Sequence, residues 1–169
     1  MSYFSKDDVE RLDFDLLQNS FVILYFRQQF FVEDIATLKG LGYSTIEFDS
    51  SCWKSEEDFF DSFAKAFGFP AYFGRNLDAL NDCLGDVGIS VEGGLVITFS
   101  KFNSFKTQFP DFAWNVLDII SSIARSKLLL GKRLICLVQS DDPKILFKEV
   151  GSQPVIWNHR EHMDKSRGL

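Results

Sequence analysis

An α/β fold with a mostly parallel sheet is what this sequence predicts, and three observations carry the prediction. Short apolar runs rich in β-branched and aromatic residues recur along the chain. Stretches with apolar residues at helical spacing lie between them, and Gly and Pro mark the joints. Strands that alternate with helices build a parallel sheet, because parallel neighbours need a crossover between them.

The elements follow in order. Residues 7–18 form a short helix, with Val9, Leu12 and Leu16 at helical spacing. Phe21-Val22-Ile23-Leu24-Tyr25-Phe26 is a continuous apolar run and reads as a buried strand. Residues 32–41 give a second helix, with Val32, Ile35, Ala36 and Leu38 on one side and Gly40 and Gly42 ending it. Residues 44–49 give the next strand, so the first three elements after residue 20 suggest a parallel βαβ unit. Ser55 is an N-cap, and Glu56, Glu57 and Asp58 fill a first turn where the helix dipole favours acids. Phe59, Phe60, Phe63, Ala66 and Phe67 supply that helix with an apolar face, and Gly68 and Pro70 stop it. A loop leads to a helix from Leu77 to Val87. After Gly93-Gly94 come a strand at 95–99, a long helical region at 111–130, a strand at 134–138 and a last strand at 155–157. The charged tail beyond is expected to fray.

The chain has 169 residues, which suits one domain or a domain with an appendage. Its 19 Phe are costly to leave in water, so most belong in a core, and a surplus on the surface would mark a binding patch. Cys52, Cys83 and Cys136 form no CxxC pair, which argues against a disulfide framework and a zinc cage. His159 and His162 have no cysteine near them and read as solvated tail residues. The N-terminus lacks the pattern of a signal peptide, and no apolar stretch approaches a membrane span, so a cytoplasmic address and no membrane partner are expected.

Charge is uneven. The net value is −6, but residues 1–100 carry 17 acids and 7 bases, while residues 101–169 carry 7 acids and 11 bases. Phosphate binding relies on Lys and Arg, so the acidity disfavours a nucleic acid as direct partner. It favours a basic protein, whose approach a long-range field would speed, although solubility alone also explains a net charge.

The segment Tyr72-Phe73-Gly74-Arg75-Asn76-Leu77-Asp78-Ala79-Leu80-Asn81-Asp82-Cys83-Leu84 carries the chemistry. Asn76 is a good N-cap. Leu77, Leu80, Leu84 and Val87 form a buried stripe, and Asp78, Asp82 and Asp86 share another face at i, i+4 and i+8. Like charges at that spacing each cost a few tenths of a kcal/mol, by the roughly 0.2–0.5 kcal/mol scale of such pairs. Local rules broken together mark a binding surface, although a solvated acidic face would look the same. Tyr72 and Phe73 are adjacent at a Gly turn and cannot both enter the core. One ring is expected beside the carboxylates, as in an interface hot spot; the alternative packs one under the loop and lays the other over a helix end.

This segment resembles the barstar family, whose mark is Tyr-Tyr-Gly-x-Asn-Leu-Asp-Ala-Leu-x-Asp-Cys-Leu, and the match is ungapped. The surrounding order agrees over about residues 44–140, leaving 1–43 as an N-terminal extension that adds a strand and a helix, and 141–169 as a C-terminal extension and tail. The resemblance implies a cytoplasmic inhibitor that plugs the active site of a toxic ribonuclease in a one-to-one complex. Its loop and helix would present aromatics and carboxylates to the basic groups that hold RNA phosphates. Matched residue by residue, the partner-binding set is Tyr72, Phe73, Gly74, Asn76, Asp78 and Asp82, with Asp86 and Val87 where the family has a Gly-Trp pair. No cofactor, metal or catalysis is implied. The sequence departs from the pattern at Arg75, where the family's type member has an acid, and at Asn81, which replaces a Trp. On the last helix, Asn115–Ile123 offers only Asp118 where the type member carries acids that help hold the nuclease, and an insertion falls near Ser126–Leu130. These departures point to a divergent toxin.

Two competing readings remain at this stage. Cys83 could be named a nucleophile, but no histidine precedes residue 159 to serve it as a base, and the three Asp would need further ligands to hold an ion. An acidic binding module, or an immunity protein against a toxin that is not a nuclease, would need the same fold and the same acidic face.

Overall fold

A computed structural model describes residues 10–169. The helices are α1 (Leu12–Asn19), α2 (Gln28–Gly40), α3 (Glu56–Phe67), α4 (Leu77–Gly85), α5 (Phe102–Gln108) and α6 (Pro110–Leu129); the strands are β1 (Val22–Tyr25), β2 (Tyr43–Asp49), β3 (Gly94–Ser100), β4 (Leu134–Gln139) and β5 (Ile156–Trp157). All strand pairs are parallel, in the order β2-β3-β4-β1-β5. The predicted fold class holds. The predicted βαβ unit is corrected: β1 and β2 are parallel but not neighbours, because β3 and β4 lie between them.

Right-handed crossovers follow from the twist of strands and helices. The chain moves one way across the sheet from β1 to β2 and the other way from β2 through β3 to β4. Handedness therefore puts α2 on one face and α3 to α6 on the other. The burial agrees: β1, β4 and nearly all of β3 are inaccessible on both faces. Connections also fix the ends of α6. It leaves the C-terminal end of β3 and delivers the chain to the N-terminal end of β4, so it starts at one edge of the sheet and finishes at the other.

The core answers the question raised by the Phe count, since no Phe among the described residues is exposed. Phe48, Trp53, Phe59, Phe63, Phe99, Phe105 and Phe112 form a continuous aromatic cluster under α3, with neighbouring ring centroids 4.4–6.1 Å apart. Tilted and edge-on rings dominate, as the aromatic quadrupole prefers, and the indole N–H of Trp53 donates to Ser62 Oγ at 2.9 Å.

The tail does not fray. Glu161 is fully buried, and its carboxylate accepts the Phe26 and Arg27 N–H groups, each at 2.9 Å, just ahead of α2. Arg167 donates to the carbonyls of Pro143 and Glu161 and stacks over Trp157 at 4.3 Å. The expectation of fraying rested on charge density, and these charges are paired with backbone groups far away in sequence. Two side-chain triads hold the first helices in a similar way. Tyr43 and Arg133 bond Asp13 at 2.8 and 3.0 Å; Tyr25 and Arg160 bond Asp34 at 2.6 and 2.7 Å.

Candidate functional site

The loop and helix of the motif are built by local rules. Ser55 Oγ accepts from Asp58 N at 3.1 Å while the Asp58 carboxylate returns to Ser55 N at 3.1 Å, a reciprocal cap that starts α3. Gly68, at φ 65°, ends it in the left-handed region. The N–H of Phe73 then bonds the Pro70 carbonyl at 2.9 Å and turns the chain. Asn76 caps α4 by accepting from Ala79 N at 2.8 Å, and its amide reaches back to the Gly74 carbonyl at 3.1 Å. A Cβ at Gly74 would sit 2.9 Å from that amide nitrogen, so the glycine keeps the cap in place.

This turn separates the two aromatics. Phe73 is buried, its ring 5.0 Å from Phe69 and 5.9 Å from Phe60. Tyr72 points the other way and is 87% exposed. Of the two rings assigned to a partner, Phe73 instead anchors the loop to α3 and Tyr72 alone is offered to solvent.

On α4, Leu80 and Leu84 are buried and Leu77 is half-buried, and Val87, two residues past the helix end, is half-buried too. The side chain of Val87 therefore packs inward, and its carbonyl accepts Lys127 Nζ from α6 at 2.9 Å. Asp78 and Asp82 are exposed one turn apart. Among the described residues, neither carboxylate has a hydrogen bond or an ion pair. Asp86 is exposed too, but it lies past the helix as its C-cap. It faces Lys127, whose ammonium burial and Lys132 hold below the usual lysine range while Asp86 pushes back. The stripe is thus two free carboxylates on α4 and a third, past its end, that lies within the field of Lys127.

Arg75 does not compete with them. It adopts φ 47°, a strained conformation for a residue with a Cβ, and its Nε pairs with Asp61 of α3 at 2.7 Å. Its charge is drawn back to α3. Asp118, the acid expected on the last helix, accepts the Gly151 N–H at 2.7 Å and is taken up by the chain itself. Sequence reasoning missed Lys127 and Asp61, since both act across elements that only the fold brings together.

The other candidate chemistries find less. Among the described residues no cluster of three or more His, Cys, Asp or Glu side chains could hold a metal ion. Cys83 is half-buried in α4, and Cys136 is fully buried, which pushes its thiol up well above the ordinary range and leaves it an apolar filler. Open parallel sheets take ligands where neighbouring strands send the chain to opposite faces, here between β4 and β1. That crevice is filled by Gln139, which donates to the Phe26 carbonyl at 3.2 Å, and by Glu161. No helix of the described residues is long and apolar enough to cross a membrane.

The family model described as Barstar (barnase inhibitor) matches residues 43–139, more than half of the chain. The chain belongs to the barstar family. It is a barnase-inhibitor-like protein, and the matched span runs from β2 through β4 and contains the whole loop and α4. No curated protein matches the chain. Outside the match lie α1, β1, α2 and β5, so the barstar-like span supplies three adjacent strands and the flanking segments add two more at one side of the sheet.

Proposed function

We propose that this protein is a cytoplasmic inhibitor that blocks the active site of a basic toxic nuclease, a ribonuclease by class, in a one-to-one complex and without catalysis of its own. The observation that carries the reading is the pair of exposed carboxylates, Asp78 and Asp82, on the helix that follows the loop carrying the exposed ring of Tyr72. Two anions one helical turn apart, with nothing among the described residues to neutralise them, suit a cluster of Arg, Lys and His that holds successive RNA phosphates. A charge left free in the monomer loses no internal partner on binding, so more of its attraction is realised in the complex. Tyr72 adds a large apolar surface with few rotamers to freeze.

In this reading Asp78, Asp82 and Tyr72 touch the partner, and Asp86 adds a weaker attraction. Gly74 and Asn76 hold the turn, while Phe73 and Val87 position loop and helix from beneath. The engagement of Asp118 and the absence of the family's Trp at Asn81 favour a partner that differs from the usual nuclease. A toxin of another class with a basic face is the second reading.

The test is capture from a lysate of the source cell followed by nuclease assay. The expected result is a one-to-one complex with a basic protein that dissociates as salt rises and whose RNA cleavage stops when this chain is added. An on-rate that does not change with salt, or a captured partner without nuclease activity, would overturn the nuclease reading.

A further inference from the structure

We propose that the elbow between α5 and α6, together with residues 146–148, forms a second docking surface that takes an acidic peptide segment carrying an apolar side chain. A cleft of about 300 Å³ opens there, walled by Lys106, Asp111 and Trp114 on one side and by Leu146, Phe147 and Lys148 on the other. Its floor is apolar and fixed. The Trp114 N–H donates to the Glu149 carbonyl at 3.2 Å, and Lys106 Nζ sits 5.0 Å from the centre of the Phe147 ring. Leu146 is 74% exposed at its edge.

The backbone of this wall is as informative as its side chains. Among the described residues, the N–H and C=O groups of Leu146, Phe147 and Lys148 have no hydrogen-bond partner. Three consecutive free donor–acceptor pairs beside an apolar floor are what strand-addition recognition uses: the main chain gives affinity and the cleft reads alternate side chains. A peptide laid along 146–148 would exclude water from the groups that point toward it and must match them, which an extended segment does through alternate residues. A helix cannot, because its own amides are already paired, and that excludes the α4 face of a second copy as occupant.

Charge selects among peptides. Two lysines face one aspartate in the cleft, and residues 101–169 carry 11 bases against 7 acids, so an acidic segment is attracted and a basic one repelled. Topology separates this cleft from the acidic face. Trp114 stands near the start of α6, at the C-terminal edge of the sheet, whereas Val87, just past the end of α4, meets Lys127 near the other end of α6. Both surfaces can be occupied at once, and the inference does not rest on the nuclease reading.

The experiment is selection of phage-displayed random dodecapeptides on the full chain, with parallel selection on a Leu146→Ser/Lys148→Glu variant. Both substituted residues are exposed, and matching thermal melts would verify that the variant is folded. The expected result is a consensus that joins an acid to an apolar residue, enriched on the parent. Its synthetic peptide should bind the variant at least about tenfold more weakly and slow amide exchange at Leu146–Lys148. No sequence that discriminates parent from variant, a basic or uncharged consensus, or unchanged exchange at those amides would overturn the proposal. So would self-association of the parent that the variant abolishes, which would assign the cleft to a second copy.

Discussion

Asp78 and Asp82 stand in solvent with no cation paired to them among the described residues, whereas Asp13, Asp34 and Glu161, in the segments flanking the family match, are buried and each satisfied by several donors. The buried three face Arg, Tyr or backbone N–H at hydrogen-bond distance, because an uncompensated buried charge would cost several kcal/mol. The two on α4 are hydrated and uncommitted, and their mutual repulsion is a small local cost. Carboxylates that organise the fold are thus spent on it, and those that the proposed function assigns to a partner are left free. The same division runs through adjacent aromatics: Phe73 is committed to the core and Tyr72 to solvent.

The largest expected effect tests the committed side. Asp13→Ala leaves Arg133 buried without its anion and should lower unfolding free energy by about 3–5 kcal/mol in a urea titration. A loss under about 1 kcal/mol would break the comparison. Phe73→Ala should cost a similar amount, about 3–5 kcal/mol, by opening a hole between Phe60 and Phe69, while Tyr72→Ala leaves the melt within about 0.5 kcal/mol of the parent. On the free side, Asp82→Ala should weaken partner binding by about 2 kcal/mol or more in titration calorimetry with an unchanged melt. Unchanged affinity would remove Asp82 from the interface.

Two smaller effects sharpen the picture. Burial and the facing carboxylates Asp34 and Asp13 hold the phenols of Tyr25 and Tyr43 well above the ordinary tyrosine range. The folded state therefore keeps these protons above about pH 10, where the unfolded chain releases them. Their contribution is complete below that pH and falls as pH rises, so melting temperature should drop on the alkaline side, less steeply in Tyr43→Phe. Asn76→Ala should cost about 1 kcal/mol, the worth of an N-cap, and lower affinity slightly as the loop loosens.

Much of this was legible in the chain because the signals are local. Ser55 with Asp58, Gly68, Asn76 and the leucine stripe act within one or two helical turns, so α3 forms and α4 starts where they said, although α4 ends at Gly85 rather than Val87. Helix α5 was missed because its start carries no capping side chain: Lys101 precedes it at φ 51°. Strand order was not legible, since nothing near residues 22–25 records that their neighbours are 136–139 and 156–157. The same holds for the tail, whose order comes from Glu161 and Arg167 reaching across the fold. At the site, Asp78 and Asp82 fall one turn apart on α4 as their spacing said, but the helix ends at Gly85 and leaves Asp86 past it. What each Asp faces depended on Lys127 and on the turn that sends Tyr72 outward.

The position of β1 also sets a schedule for synthesis. Val22–Tyr25 is made early, yet Val22 pairs with Cys136 and Leu24 with Trp157. At about 5–20 residues per second the strand waits on the order of ten seconds for its neighbours. During that interval four apolar residues have no sheet to join, and both edges of the nascent strand are open to other chains. Long-range parallel pairing of this kind folds slowly even after release. Yield in a cell should then depend on chaperone supply more than on the stability of the finished molecule, and slowing translation after residue 25 should lower soluble expression without changing the melt.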